Sequence, residues 1–188
     1  MRCLVCLNLS WQPICKKCLD TLFTPTLCKR VLDDGLVVYS FYKYSEIKKL
    51  LHTKHTYIGA KIFSQLATHS MTPLAKSFQN QEIYSLPIDD HVRSGYSHSA
   101  VIAKAISRYI KPKYHALRAK NHIRYSGQKL SVRQKNRRDF QPTCEENLSV
   151  VLIDDIVTTG STLMEANATC TRANINVLFA LTIADARE

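Results

Sequence analysis

Residues 150–162, VVLIDDIVTTGST, place two adjacent carboxylates between a run of aliphatic residues and a group of small hydroxyl residues around one glycine. Carboxylates avoid apolar surroundings unless a partner compensates them. Leu148–Ile153 is aliphatic on both faces, which predicts a strand inside a parallel sheet. Ligands of such sheets bind at the carboxyl ends of the strands. We therefore expect Asp154 and Asp155 at a ligand-binding edge.

The residues after this pair have the composition of a phosphate site. Ser161–Ala173 has a helical pattern, and the first N–H groups of a helix lack intrahelical partners and attract anions. A glycine in the loop allows close backbone approach, and the neighbouring hydroxyls add neutral donors. The residues predicted to bind the phosphate are Val157, Thr158, Thr159, Gly160, Ser161 and Thr162.

The acid pair and the phosphate loop together indicate a phosphorylated sugar. Carboxylates accept hydrogen bonds from sugar hydroxyls, so Asp154 and Asp155 beside a phosphate predict a ribose 5-phosphate site. An ordinary helix cap would explain Ser161 or Thr162 but not the two acids. A Walker A loop is excluded, because the sequence contains no Gly-Lys-Ser or Gly-Lys-Thr.

Four cysteines near the start of the chain form a second candidate site. They are two C-x-x-C pairs separated by eight residues, a spacing typical of a tetrahedral structural zinc site. A redox C-x-x-C is the alternative, but it needs only one pair. The predicted zinc ligands are Cys3, Cys6, Cys15 and Cys18. We expect a small zinc module over residues 1–35, in which the metal supplies much of the folding free energy.

Positive charge is concentrated in one part of the chain. The net charge is +11, and residues 91–138 contain 13 of the 26 Lys and Arg residues and no Asp or Glu, so the rest of the chain sums to −2. Such an imbalance favours a phosphate-bearing ligand. The alternatives are nucleic acid, a phosphorylated metabolite and an acidic membrane surface. A solvated basic surface is the structural alternative.

The remaining patterns predict one α/β domain over residues 36–188. Strands are predicted at 36–44, 82–88, 114–118 and 176–183, and helices at 45–54, 57–69 and 96–110. Alternating strands and helices indicate a doubly wound, mainly parallel sheet. No run of 18 apolar residues occurs, and no signal-peptide pattern is present. We therefore expect no membrane span and a cytoplasmic location, with the inner face of the cytoplasmic membrane as the alternative.

Residues 150–162 resemble the phosphoribosyl diphosphate (PRPP) signature of the type I phosphoribosyltransferases. The resemblance implies a phosphoribosyltransferase-like fold in which Asp154 and Asp155 contact the ribose 2- and 3-hydroxyls. It implies that 158–162 hold the 5-phosphate, with Mg²⁺ bridging the pyrophosphate and the ribose. Together with the cysteine pairs, the chain resembles the ComF family (ComFC-type), proteins linked to natural competence and DNA uptake. The segments LPIDDHVRSGYSH (86–98) and QKLSVRQKNRRDF (128–140) are also similar to stretches of that family.

The resemblance implies a function and further site residues. The function is PRPP binding and the handling of incoming single-stranded DNA during transformation, with a competence helicase-type protein as a candidate partner. Phosphoribosyltransferases cover their site with a mobile loop, and 120–138 is the lid candidate. Asp89 and Asp90 lie at the position of the family's pyrophosphate loop. Their negative charges would repel pyrophosphate unless a metal ion lies between them. The pyrophosphate and lid candidates are Asp89, Asp90, Arg93, Lys120, Arg124 and Arg133.

Single-stranded DNA would bind to the basic segment 91–138. Several Lys and Arg residues supply affinity for phosphates, and tyrosine rings can stack on unpaired bases. The DNA-contact candidates are Lys129, Arg133, Lys135, Arg137 and Arg138, with Tyr109, Tyr114 and Tyr125 as candidate stacking rings. Two other functions stay open. One is a salvage phosphoribosyltransferase, an enzyme of pentosyl transfer to a purine or pyrimidine base. The other is a non-catalytic DNA-binding adaptor with a vestigial PRPP site.

Overall fold

The computed structural model describes residues 1–88, 95–120 and 138–187. Within them the strands are β1 (Cys28–Val31), β2 (Val37–Lys43), β3 (Ile83–Pro87), β4 (Lys111–Pro112), β5 (Leu117–Ala119), β6 (Phe140–Pro142), β7 (Ser149–Val157) and β8 (Asn176–Asp185). Six of them form one sheet in the order β1-β2-β8-β7-β3-β4, in which only the β1–β2 pair is antiparallel. The strands β5 and β6 form a separate antiparallel pair. The predicted α/β class with a mainly parallel sheet is confirmed.

Five helices accompany these strands in the described part of the chain. They are α1 (Lys16–Leu22), α2 (Tyr44–Leu51), α3 (Tyr57–Lys76), α4 (His98–Ala105) and α5 (Ser161–Arg172), and a 3₁₀ turn, His52–His55, joins α2 to α3. None of the described helices combines the length and the apolar character that crossing a bilayer requires.

The sheet is covered on both faces, as a doubly wound architecture requires. Val151 and Ile153 of β7 belong to a buried cluster with residues of α2, α3 and α4. Val150 and Leu152 belong to a second cluster, with residues of α5 and of the β5–β6 pair. Because successive strand residues point to opposite faces, this division explains why β7 is aliphatic at every position from 150 to 153.

Several elements differ from their predicted bounds. β7 extends to Val157, because its pairing with β8 continues to Val157↔Asp185, so both acids lie within the strand rather than after it. α3 continues past His69 and across Pro73 to Lys76, since Met71 and Ala75 are buried in the core. α4 spans His98–Ala105 and ends well before the predicted end at residue 110. The short elements α1, β1, β4 and β6 were not predicted.

The parallel strands bring four chain segments to one edge of the sheet. β2, β3, β7 and β8 are mutually parallel through their neighbours, so their carboxyl ends lie at the same edge. The acid pair is at the end of the central strand β7, and α5 begins four residues beyond that strand.

Candidate functional site

The acid pair is held by its own backbone at the end of β7. The Asp155 N–H donates to Asp154 Oδ1 at 2.8 Å, and the Ile156 N–H donates to Asp155 Oδ1 at 2.9 Å. Both acids are half-buried. Each carboxylate therefore keeps acceptor capacity that these backbone donors do not use.

Asp154 lies in surroundings that disfavour its charge. Burial, and next the negative charge of Asp155, raise the pKa of Asp154 to about 8, against the opposing effect of the Arg138 guanidinium. Two carboxylates in adjacent positions cannot both ionise at low cost. A ligand that donates hydrogen bonds or brings positive charge would relieve this penalty.

Asp155 has a cationic partner that sequence analysis missed. Lys54, in the turn between α2 and α3, lies with its Nζ 3.7 Å from Asp155 Oδ2. No local pattern distinguishes Lys54 from the other lysines around it. Only the folding of that turn over the sheet edge brings the two charges together.

The predicted phosphate loop has the geometry expected for a strand-to-helix turn. Gly160 has φ +83° and immediately precedes α5, and its carbonyl accepts the Met164 N–H at 2.9 Å. Thr159 Oγ1 and Ser161 Oγ lie within hydrogen-bonding distance of each other. Val157 is buried, whereas Thr158 is exposed. The hydroxyls therefore cluster at the start of α5, where the helix presents its positive end.

A neighbouring strand braces this loop. Arg30 of β1 donates from Nη1 to the Thr158 carbonyl at 2.9 Å and to Asp185 Oδ1 at 3.0 Å. Leu32 packs so closely on Gly160 that a Cβ there would lie 2.6 Å from its Cδ2. These contacts join three chain segments that are far apart in sequence. Sequence analysis did not single out either residue, because residues 28–32 carry no strong strand pattern.

The lid and DNA candidates are only partly described. Asp89, Asp90, Arg93, Arg124, Lys129, Arg133, Lys135 and Arg137 lie outside the described residues, as does Tyr125. The two ends of the lid candidate 120–138 are described and close together, since the Lys120 N–H donates to the Asp139 carbonyl at 3.2 Å. The Asp139 N–H in turn donates to Glu165 of α5 at 2.8 Å. The segment therefore starts and ends beside α5, and the charge of Arg138 acts on Asp154.

The four predicted zinc ligands form one cluster. The sulfur atoms of Cys3, Cys6, Cys15 and Cys18 all lie within 4.8 Å of one another, and Cys6 Sγ is 3.7 Å from Cys15 Sγ. Zn–S bonds of about 2.3 Å in a tetrahedron place sulfurs about 3.8 Å apart. The donor set and its spacing therefore fit a zinc ion.

Backbone donors point at these sulfurs. The N–H groups of Val5 and Cys15 lie 3.4 and 3.3 Å from Cys3 Sγ. Burial alone would raise the pKa of the Cys3 thiol, but the backbone donors outweigh it and lower this pKa to about 6. Burial and then hydrogen bonding to the other thiols raise the pKa of Cys18 to about 12. N–H donors to sulfur are also the usual outer contacts of structural zinc sites, because they stabilise thiolates.

The cysteine cluster is anchored to α3. Gln65 Oε1 accepts the Ile14 N–H at 3.2 Å, and Gln65 Nε2 donates to the Ile14 carbonyl at 2.5 Å. The Ile14 side chain is fully buried in the same cluster of apolar residues as α3. The head of the chain therefore packs directly on the domain that carries the acid pair.

Comparison with known proteins gives only remote similarity. No protein-family model and no curated protein sequence matches the chain. Among solved structures, it is similar to a hypoxanthine phosphoribosyltransferase from Staphylococcus aureus, with 16% identity, 65% of this chain and 62% of that one covered, and a TM-score of 0.42. It is similar to an adenine phosphoribosyltransferase from Saccharomyces cerevisiae, with 13% identity, coverages of 85% and 83%, and a TM-score of 0.42. An orotate phosphoribosyltransferase from Aeropyrum pernix gives 15% identity, coverages of 90% and 80%, and a TM-score of 0.39. The chain thus spans less than two thirds of the first of these proteins. The interpretation of the site rests on its own geometry.

Proposed function

We propose that this chain is a PRPP-binding, phosphoribosyltransferase-like protein. The observation that carries the proposal is the passage from Asp154 and Asp155 at the end of β7, through a left-handed glycine, to the start of α5. The free N–H groups at a helix start bind phosphate, and carboxylates accept from sugar hydroxyls. In PRPP, the 5-phosphate would accept from the N–H groups at the start of α5, and the ribose hydroxyls would donate to Asp154 and Asp155.

Magnesium fits the same site. Mg²⁺ prefers carboxylate and phosphate oxygens, and the end of β7 carries two carboxylates. When bound with PRPP, the ion would neutralise charge on the diphosphate. The chain's own part is to orient the ribose through Asp154 and Asp155 and to hold the 5-phosphate at residues 157–162.

Titration calorimetry with PRPP and Mg²⁺ tests this function. Wild-type protein should bind, and Asp154→Ala combined with Asp155→Ala should weaken binding about 100-fold or more, because both acceptors for the ribose hydroxyls are lost. Circular dichroism and zinc content should not change, since the cysteine sulfurs contact one another while the acids bond to backbone N–H groups of their own strand. Absence of binding by folded, zinc-loaded wild-type protein would refute the proposal.

We propose that the protein acts in natural competence and binds single-stranded DNA. This proposal is supported by the resemblance to the ComF family and by the positive charge of the basic segment 91–138. Anisotropy titrations with labelled single-stranded DNA should show affinity that falls steeply with salt. If the five DNA-contact candidates each neutralise a phosphate, the slope of log K against log salt is about −3.5. A flat salt dependence would remove this segment from the interface.

A release assay separates the proposal from a salvage enzyme. Pyrophosphate release from PRPP with a common purine or pyrimidine base would favour salvage. Binding of PRPP without turnover on any such base favours a role tied to DNA. In a non-catalytic adaptor, PRPP would not bind at all.

A further inference from the structure

The turn His52–His55 approaches the acid pair more closely than its sequence suggests. Lys54 Nζ lies 3.7 Å from Asp155 Oδ2, with the Lys54 side chain 32% exposed and that of Asp155 17% exposed. A cation at this distance from a partly buried carboxylate is only weakly screened by solvent. The pair therefore belongs to the site rather than to the outer surface.

Two side chains from a different part of the chain hold the backbone of this lysine. Tyr96 Oη donates to the Lys54 carbonyl, and it also lies 3.3 Å from the Thr56 carbonyl. His98 Nε2 lies 2.7 Å from the same Lys54 carbonyl. A carbonyl only accepts, so Nε2 of His98 must carry a proton in this contact. One carbonyl with two side-chain donors is fixed in position from the side of α4.

The start of α3 also packs against this turn. A Cβ on Gly59 would lie 2.1 Å from the Thr53 carbonyl oxygen and 2.8 Å from Tyr96 Oη. Thr56 caps α3 through its hydroxyl, which accepts the Gly59 N–H at 3.3 Å. The turn is therefore in close contact with the first turn of α3 as well as with Tyr96.

Ligand binding would change the partner of Lys54. Sugar hydroxyls that donate to Asp155 replace part of the interaction that Lys54 makes in the free protein. A partly buried ammonium that loses its carboxylate needs another anion. The phosphate at α5 is already held by the helix start, so the second anion is a group at the other end of the sugar.

We propose that Lys54 binds the anionic group on C1 of the sugar, and that Tyr96 and His98 are positioning residues that hold the Lys54 backbone. This inference rests on the proposed function, since it assigns a role within the same site. It predicts that the site distinguishes PRPP, which has a diphosphate on C1, from ribose 5-phosphate, which has none.

The role of Lys54 is tested by titration calorimetry with the two ligands in Mg²⁺. Lys54→Met keeps the length of the side chain and removes its charge. It should weaken PRPP binding about 10- to 100-fold, the value of a charge-assisted hydrogen bond, and ribose 5-phosphate binding by less than about threefold. Lys54→Arg should retain most of the preference for PRPP. Equal weakening of both ligands by Lys54→Met would overturn the assignment.

The positioning role is tested by a double-mutant cycle. Tyr96→Phe and His98→Leu should each weaken PRPP binding about 2- to 10-fold, because each removes one neutral hydrogen bond. His98→Gln keeps an N–H donor and should recover part of the loss.

In the Lys54→Met background these changes should have little further effect on PRPP binding, because they act through Lys54. Full additivity would overturn the positioning role. Tyr57→Phe, at an exposed tyrosine of α3 outside this contact, is the matched control and should bind as wild type.

Hydrogen exchange separates failure of this inference from failure of the proposed function. The Thr56 N–H donates to the Thr53 carbonyl at 2.8 Å, and the Gly59 N–H donates to the Thr56 carbonyl at 3.0 Å. Both amides should exchange faster in Tyr96→Phe combined with His98→Leu, whether or not PRPP binds. If wild type binds neither ligand, the proposed function fails and Lys54 loses its ligand role. Unchanged exchange at these two amides would refute the positioning role by itself.

Discussion

At the residue scale, two adjacent aspartates of the same chemistry have different surroundings. Successive strand residues point to opposite faces. Asp155 reaches Lys54 in the turn between α2 and α3, whereas the cation whose charge acts on Asp154 is Arg138. Burial and the neighbouring carboxylate raise the pKa of Asp154 to about 8, so the free site retains a proton over much of the neutral range.

The raised pKa of Asp154 makes stability depend on pH. The folded chain binds this proton more tightly than the unfolded chain, whose aspartates titrate near pH 4. The stabilisation that this one proton contributes is therefore fully present below about pH 4 and is lost as the pH rises toward 8. Asp154→Asn removes the titration and should be more stable than wild type at pH 8.5, by about 1 kcal/mol after allowance for solvent screening at a half-buried group. Urea unfolding from pH 5 to 8.5 measures this. Two parallel stability curves would contradict the expected surroundings of Asp154.

At the element scale, the phosphate loop depends on a strand that does not belong to it. β1 contributes Arg30, which holds the Thr158 carbonyl, and Leu32, directly after β1, packs on Gly160. The start of α5 is thus positioned both by β7, which leads into it, and by β1 at the edge of the sheet. A change that displaces Leu32 should disturb phosphate binding, because Leu32 packs on Gly160 at the start of α5.

Gly35 and Gly160 have the same left-handed backbone conformation but different neighbours. Comparing substitutions at the two positions distinguishes the cost of backbone strain from the effect of contact with Leu32. Gly160 has φ +83° and Gly35 has φ +85°, but only Gly160 has Leu32 against the position of a Cβ. Alanine at either position should cost about 1–2 kcal/mol for left-handed backbone. Only Gly160→Ala should also weaken PRPP binding, because the loop must shift away from Leu32. Chemical denaturation and titration calorimetry give the two quantities. Equal loss of PRPP affinity in both variants would mean that the brace on the loop has no role in binding.

At the scale of the whole molecule, the cysteine cluster and the domain share one core. Ile14 and Leu19 are buried with residues of α3 and α4, and Gln65 of α3 bonds both the N–H and the carbonyl of Ile14. A metal that orders the head of the chain would therefore stabilise the domain as well, because the apolar residues near the cysteines form part of its core.

Removal of one cluster cysteine should therefore lower global stability. Cys15→Ser should lose zinc and lower the Tm by about 4–8 °C, the equivalent of roughly 2 kcal/mol in a chain of this size. Cys28→Ser, at an exposed cysteine outside the cluster, is the control and should retain both zinc and Tm. Elemental analysis and calorimetry measure the two effects. A zinc-free wild type with the same Tm as a zinc-loaded one would show that the cluster does not depend on the metal.

The sequence by itself determined the parts whose physics is local. The aliphatic run 150–153, the acids beside it and the small residues at 158–162 indicate a strand, a polar edge and a helix start, because each follows from neighbouring side chains. The grouping of four cysteines follows in the same way from spacing. The length of β7 did not follow, since its last residues are strand only because β8 pairs with them.

Tertiary structure alone decided which residues complete the site. Lys54 meets Asp155, Arg30 meets Thr158, and Tyr96 and His98 meet the Lys54 carbonyl across long separations in the chain. Lys54 and Arg30 occur in no local pattern that distinguishes them, and the resemblance of segment 86–98 gave Tyr96 and His98 no role. Their roles arise when the strand ends, the turn after α2 and the edge strand β1 are packed together, because a charge or a donor acts only on what the fold brings within a few ångströms of it.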